Sequence, residues 1–257
     1  MMMEKKQQEG IATSRDSIGQ QGELGSLYER IKQNEEVQEL IRKGNENLGI
    51  LGYTDHGTAH VGLVAERAAE ILVNLGYTEH EMQLARIAGF LHDIGNAVNR
   101  HHHAEFGAML ANDILQKQES SDGGTDACAS CTGLSITDRV TVLSAIAHHD
   151  ESTGGACDPV SAALIIADKT DVRRNRVRPK PKASFDIHDR VNYAVTCSEL
   201  KIDSERHTLT LNLEIDETIC TMYEYFDIFL GRMLMCRGAA EILGAAFKLV
   251  VNGSKVL

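Results

Sequence analysis

The sequence predicts a mainly α-helical bundle with a small α+β region, hairpin plus helices, at its C-terminal end. Three observations carry that prediction. Apolar residues recur every three or four positions through much of 23–183, helix-start signals stand ahead of those runs, and two stretches after residue 184 alternate apolar with polar residues. Spacings of three and four put side chains on one helix face, whereas alternation puts them on one face of a strand. The expected division is a disordered polar N-terminus over 1–22, a helical metal-binding domain over 23–183, and an α+β region over 184–257 packed on it or at a subunit interface.

Taken in order, Leu24, Leu27, Ile31, Val37, Leu40 and Ile41 mark a lead-in helix. Thr54 or Asp55 can cap a second helix, whose apolar face carries His60, Val64, Ala68, Ile71 and Leu75 and which Gly76 ends. Thr78 and Glu81 form a capping-box pattern ahead of the helix that runs to His92-Asp93. A further helix is expected over 103–117, then a Gly/Ser-rich loop over 119–134, then a helix capped by Ser135 and Asp138 that ends at His148-His149. Val160 to Asp171 is apolar until Asp168. Beyond it, Val191, Tyr193, Val195 and Cys197 form one alternating run and Leu209, Leu211, Leu213 and Ile215 another, with 203–206 as the turn between them. An amphipathic helix from Ile219 to Met233 and a terminal strand at 247–251 complete the reading.

Composition narrows the function. A net charge of −11 argues against general affinity for nucleic acid or anionic membrane, so any phosphorylated substrate must be drawn by local metal, Lys or Arg charge. No run approaches a membrane span, and the first eight residues lack the apolar core of a signal peptide. The six cysteines do not form a disulfide framework, and Cys128 and Cys131 read as loop thiols rather than half of a zinc site. A cytoplasmic protein is expected.

Composition does not account for the ordered set His60, His92-Asp93, His103, His148-His149 and Asp168. The His-Asp pair stands inside the apolar run Phe90-Leu91-His92-Asp93-Ile94. Imidazole and carboxylate are ligands for divalent transition metals, and one carboxylate can join two ions. Without a cation, carboxylates inside apolar helices are costly. The set therefore predicts a two-metal hydrolytic site. His60, His92 and Asp168 would hold one ion and His103, His148 and His149 the other, with Asp93 shared between them. Neighbouring on one helix, His92 and Asp93 would diverge by about 100°.

The pattern over about Thr54 to Asp171 resembles the HD superfamily of metal-dependent phosphohydrolases, and the resemblance implies the same assignment of ligands. The closest look is to the HD-GYP subgroup, through Leu91-His92-Asp93-Ile94-Gly95, His103-Ala104-Glu105-Phe106-Gly107-Ala108, Ala147-His148-His149-Asp150 and Ala167-Asp168-Lys169-Thr170-Asp171. Two departures stand out. Asn96 occupies the subgroup's Lys position, and Glu151 to Pro159 is shorter than the expected Gly-Tyr-Pro segment and lacks Tyr. The resemblance thus implies the metal site more strongly than the subgroup's cyclic dinucleotide substrate.

The function expected is hydrolysis of a phosphoester in a small nucleotide-like molecule by a hydroxide held between two ions. The imidazole-rich set favours Fe or Mn, with Zn, Ni or Co as alternatives, over Mg. Asp93 and Lys169 are the candidate catalytic residues; Lys169 can balance charge or contact phosphate. His56, four residues before His60, can serve a third ion or buttress a ligand. His101 and His102 read as loop residues near the site. The basic run Arg173, Arg174, Arg176, Arg178, Lys180 and Lys182 is either a phosphate approach strip or a solvated loop, with Arg173 and Arg174 nearest the ligands. Alternatives are a cyclic dinucleotide phosphodiesterase of HD-GYP type and a non-catalytic metal-bound sensor or interaction module, with a homo-oligomer formed through the C-terminal region.

Overall fold

Among the described residues, five helices start with a capping box. Thr78 with Glu81, Ser135 with Asp138, Asp158 with Ser161, Asp186 with Asp189 and Thr221 with Glu224 each satisfy two backbone donors that a helix start leaves open. The structure is a computed structural model that describes residues 24–120, 134–179, 181 and 185–257. The expected disorder at 1–22, the Cys128 and Cys131 thiols, and Lys180 and Lys182 lie outside the described residues.

The elements are α1 (24–33), α2 (Glu35–Ile50), α3 (Thr58–Asn74), α4 (Glu79–Leu91), a 3-10 turn (Ile94–Ala97), α5 (His103–Ser120), α6 (Ile136–Ala147) and α7 (Pro159–Lys169). A second 3-10 turn (Arg174–Arg176), α8 (Ile187–Ala194), β1 (Val195–Asp203), β2 (Thr208–Ile215), α9 (Met222–Ile242), β3 (Ala246–Val251) and β4 (Ser254–Lys255) follow. The mainly helical bundle with a small C-terminal α+β part is thus the observed architecture. No described helix is long and apolar enough to cross a membrane.

Helix α7 is the centre. Every residue from Val160 to Ala167 is buried, because α3, α4, α6 and α9 surround it. A helix apolar on all sides has no stable place except such a position. The lead-in helix expected as one piece is two, since Asn34 accepts the Val37 N–H and starts α2 afresh. Helix α3 begins later than expected, with Gly57 as its N-cap, because the Asp55 carboxylate accepts from the Gly57 N–H and from Asn45 and so stabilises a loop. Gly76 ends the α3 turn at φ +83°, a conformation that a residue without Cβ adopts freely.

The sheet runs β1-β2-β3-β4. β1 and β2 form the antiparallel hairpin, and α9 is the crossover that brings β3 parallel to β2. Alternation puts Leu209, Leu211, Leu213, Phe247, Leu249 and Val251 on the buried face. Val191 and Tyr193, expected in the first strand, instead lie on α8. The Asp186–Asp189 box starts a helix there, and the strand begins only at Val195.

Helices α3 and α4 approach so closely that a Cβ on Gly89 would stand 2.7 Å from Ala65 Cα and 2.9 Å from Ala65 N. Gly89→Ala is therefore expected to destabilise the protein by about 1–3 kcal/mol through overpacking. Urea unfolding checks this, and an unchanged midpoint would show that the two helices are not held at that distance.

Candidate metal centre

Each sequence-predicted donor lies at or next to a helix end. His60 is in the first turn of α3 and His103 opens α5. His92 caps the C-terminus of α4, His149 follows α6, and Asp168 is in the last turn of α7. Asp93 is not on a helix beside His92 as expected. Helix α4 ends at Leu91, and Asp93 takes φ −101°, ψ 1° ahead of the 3-10 turn. That local tightening, rather than a helical 100° step, sets its direction.

Four rings share one hydrogen-bond arrangement. Nδ1 of His60 meets Asp171 Oδ2 at 2.7 Å, and that of His92 meets the Gly89 carbonyl at 2.8 Å. The Nδ1 atoms of His103 and His149 meet the carbonyls of Arg100 and Ile146 at 3.0 and 2.7 Å. All four partners are acceptors, so each Nδ1 carries the proton and each Nε2 offers a lone pair. Burial pushes the His149 imidazole down to about 3, which keeps it neutral and a donor of electrons at neutral pH.

The lone pairs converge. His60 Nε2 is 3.3 Å from Asp168 Oδ1 and 3.7 Å from Asp93 Oδ2. His92 Nε2 is 3.3 Å from Asp93 Oδ2 and 3.8 Å from Asp168 Oδ1. Donors roughly 2.0–2.2 Å from one ion stand at about such separations from each other. His60 Nε2, His92 Nε2 and Asp93 Oδ2 are buried without a hydrogen-bond partner, an expensive condition unless a cation satisfies them together. This donor set fits a divalent metal.

On the other side of Asp93, its Oδ1 lies 3.6 Å from His103 Nε2 and 3.9 Å from His149 Nε2. Asp150 Oδ2 is 3.5 Å from His103 Nε2. The two oxygens of Asp93 thus face different histidines, while the two sets of donors close enough to hold an ion, His60-His92-Asp168 and His92-Asp93-His149, share His92. Burial would raise the Asp93 carboxyl, but His92 beside it, with His56 and His103, holds it well below the usual carboxylate range. Burial opposes ionisation of Asp168 as well, and Lys169, His60 and His92 overcome it.

The remaining expected site residues are distributed as follows. Lys169 is buried with its Nζ 2.8 Å from Asp168 Oδ2. His56 precedes α3 rather than sharing its face with His60; it lines the cavity, donating from Nδ1 to the Thr54 carbonyl, with its ring 5.3 Å from that of His60. His148 is half-buried at the α6 C-cap and belongs to neither group of converging donors among the described residues. Arg173 is bound to Asp171, and Arg174 donates to the Tyr193 carbonyl while stacking on that ring at 4.6 Å. The cations that line the cavity are instead Arg100, Lys169, Arg176 and Arg232. His101 and His102 are exposed, as loop residues should be, and His80 pairs with Asp138 away from the cluster.

Sequence reasoning passes over Asp150, Asp171, Arg100 and Arg232. Asp150 and Asp171 stand inside the motifs, each one to three residues from a ligand, and that adjacency is the available signal. Arg100 and Arg232 give none, since they reach the site from a loop and from α9. The cavity above the donors encloses about 410 Å³, with Phe229 and Arg232 of α9 and His188 and Asn192 of α8 in its walls. Arg232 is tied across its rim to Glu151 at 2.9 Å.

Asp171 holds the His60 ring and is itself held by Arg173 and Arg176. Asp171→Asn is expected to lower affinity for a divalent ion by roughly 10–100-fold, since it removes the acceptor that orients and polarises a ligand. Competition against a chromophoric chelator checks this, and unchanged affinity in a folded variant would contradict it.

Comparison with known proteins identifies the family. The HD domain family matches residues 58–190. An uncharacterized protein of Methanocaldococcus jannaschii is 29% identical over 203 residues, covering 72% of this chain and 75% of that protein. HD domains bind divalent metals and are typical of metal-dependent hydrolases. Matched over more than half of its length, and with His92-Asp93 at the point where the donor groups meet, this chain belongs to the HD domain family.

Proposed function

We propose that the protein is a metal-dependent phosphohydrolase that cleaves a phosphoester of a small nucleotide-like molecule, using two divalent transition ions. The observation that carries this reading is the division of labour at Asp93, whose two oxygens face two groups of imidazole and carboxylate donors under one cavity. Divalent ions held there would supply Lewis acidity to a phosphoryl group and acidify water. The imidazole content favours Fe or Mn, with Zn, Ni or Co as alternatives.

The chain's own residues supply the rest. Arg176 is buried, donates from Nη1 to the Asp171 carbonyl and from Nε to the Asp55 carbonyl, and leaves Nη2 without a partner at the cavity. A rigidly held guanidinium with a spare donor suits a phosphate oxygen. Lys169 keeps Asp168 ionised and adds positive charge where negative charge builds in the transition state. Arg100 and Arg232 extend that field to the rim. A volume of about 410 Å³ is in the range of small-molecule sites, and the polar wall offered by His188 and Asn192 suits a sugar or base.

The HD-GYP reading, with a cyclic dinucleotide substrate, is the less favoured one. Asn96, at the subgroup's Lys position, donates to Asp93 Oδ1 at 2.8 Å and so positions the shared carboxylate instead of reaching into the cavity.

A panel of nucleotides and model phosphoesters, assayed on metal-loaded protein, tests the proposal. Asp93→Ala is expected to abolish turnover. Arg176→Gln is expected to lower kcat/KM by about 10–100-fold when assayed at saturating metal, the cost of one charged hydrogen bond. Inactivity of the fully loaded wild type on the whole panel would favour a metal-bound sensor instead.

A further inference from the structure

Helix α9 is apolar on both sides. Tyr225, Phe229, Met233, Cys236, Ala239 and Ala240 are buried on the inner side, where the helix packs on α7 and β3. On the outer side Tyr223 is 78% exposed, Leu230 46% and Leu234 41%. A surface helix normally turns charged residues outward, and exposed leucines flanked by charges along one line of the helix mark a contact surface.

The outer strip has a definite pattern. Tyr223, Asp227, Leu230, Leu234, Arg237 and Glu241 are all exposed and are spaced alternately by four and three residues, the spacing of a helix–helix seam. Read in opposite directions, the seam is complementary to itself. Leu230 and Leu234 stand equally far on either side of position 232, and so do acidic Asp227 and basic Arg237. Neither Asp227 nor Arg237 has an ion-pair partner among the described residues. Parallel pairing would set Asp227 on Asp227 and Arg237 on Arg237, so charge selects the antiparallel arrangement.

We propose that the outer face of α9 pairs antiparallel with α9 of a second copy, about a two-fold axis at the level of Arg232, making the protein a homodimer. Leu230 of each copy meets Leu234 of the other, and Asp227 of each meets Arg237 of the other, as an isologous contact requires. The inner side of the same helix contributes Phe229 and Arg232 to the cavity, so the partner helix braces the cavity wall from behind. This inference rests on no part of the metal chemistry.

Sedimentation of the full-length protein at tens of micromolar tests it, with wild type, Asp227→Arg, Arg237→Asp and the double variant compared. Wild type should be a dimer. Each single reversal places like charges opposite one another twice per dimer and should weaken association by roughly ten-fold or more, while the double variant restores it. Leu234→Arg should give a folded monomer, with circular dichroism and metal content as controls. A monomeric wild type, a dimer indifferent to the single reversals, or a double variant no better than the singles would overturn the proposal.

Discussion

Burying Asp93 and Asp168 among apolar helices costs several kcal/mol per charge unless positive charge shares the space, and the surrounding bundle is arranged around that cost. Lys169 answers part of it at 2.8 Å from Asp168. The imidazoles lower the two carboxyls only when protonated; as neutral rings they add no positive charge, because their Nδ1 protons are committed to the Asp171 carboxylate and to the carbonyls of Gly89, Arg100 and Ile146. Their Nε2 atoms therefore join the carboxylates as electron donors. A set of donors with so few protons to share calls for a cation, and the unpartnered His60 Nε2, His92 Nε2 and Asp93 Oδ2 point to where it belongs.

The helical framework follows from the same constraint. Five helix ends converge, so the donors come from helix termini instead of mid-helix positions. Two of the holding acceptors, the Gly89 and Ile146 carbonyls, lie three residues before His92 and His149 in the last turns of α4 and α6, where carbonyls lack intrahelical partners. One local device thus satisfies the helix end and sets the ring. Gly89 adds a tertiary link, since the absence of its side chain lets α3 bring His60 against α4. The C-terminal region completes the centre from outside: α9 covers α7, and with α8 it walls the cavity above the donors.

Much of this is legible in the sequence alone. Period and capping residues mark α4 and α6 correctly because Thr78 and Ser135 use local chemistry that no tertiary contact overrides, and the apolar run from Val160 marks α7, whose Asp158 cap only the structure shows. His60, His92, Asp93, His103, His149 and Asp168 are legible as a set, since imidazoles and carboxylates inside apolar runs are costly to bury unless a cation holds them together. Val191 and Tyr193 mislead, because alternation over so short a run competes with a helix whose start lies at Asp186 and whose neighbour in space is the second 3-10 turn. Arg173 and Arg174 stand close to the ligands in sequence, yet a bend after α7 turns them to Asp171 and Tyr193. Arg100 and Arg232 approach through the fold, which sequence distance does not report.

The central claim is that the donors around Asp93 form a site for two ions sharing one carboxylate. Elemental analysis of metal per chain after oxygen-free purification tests it most directly, with wild type compared against His103→Ala. The account predicts close to two ions in wild type and one in the variant, because the donors facing Asp93 Oδ2 remain intact when those facing Oδ1 are broken. A single ion in both would contradict it, leaving His103 and His149 as buried hydrogen-bonded histidines beside a mononuclear centre.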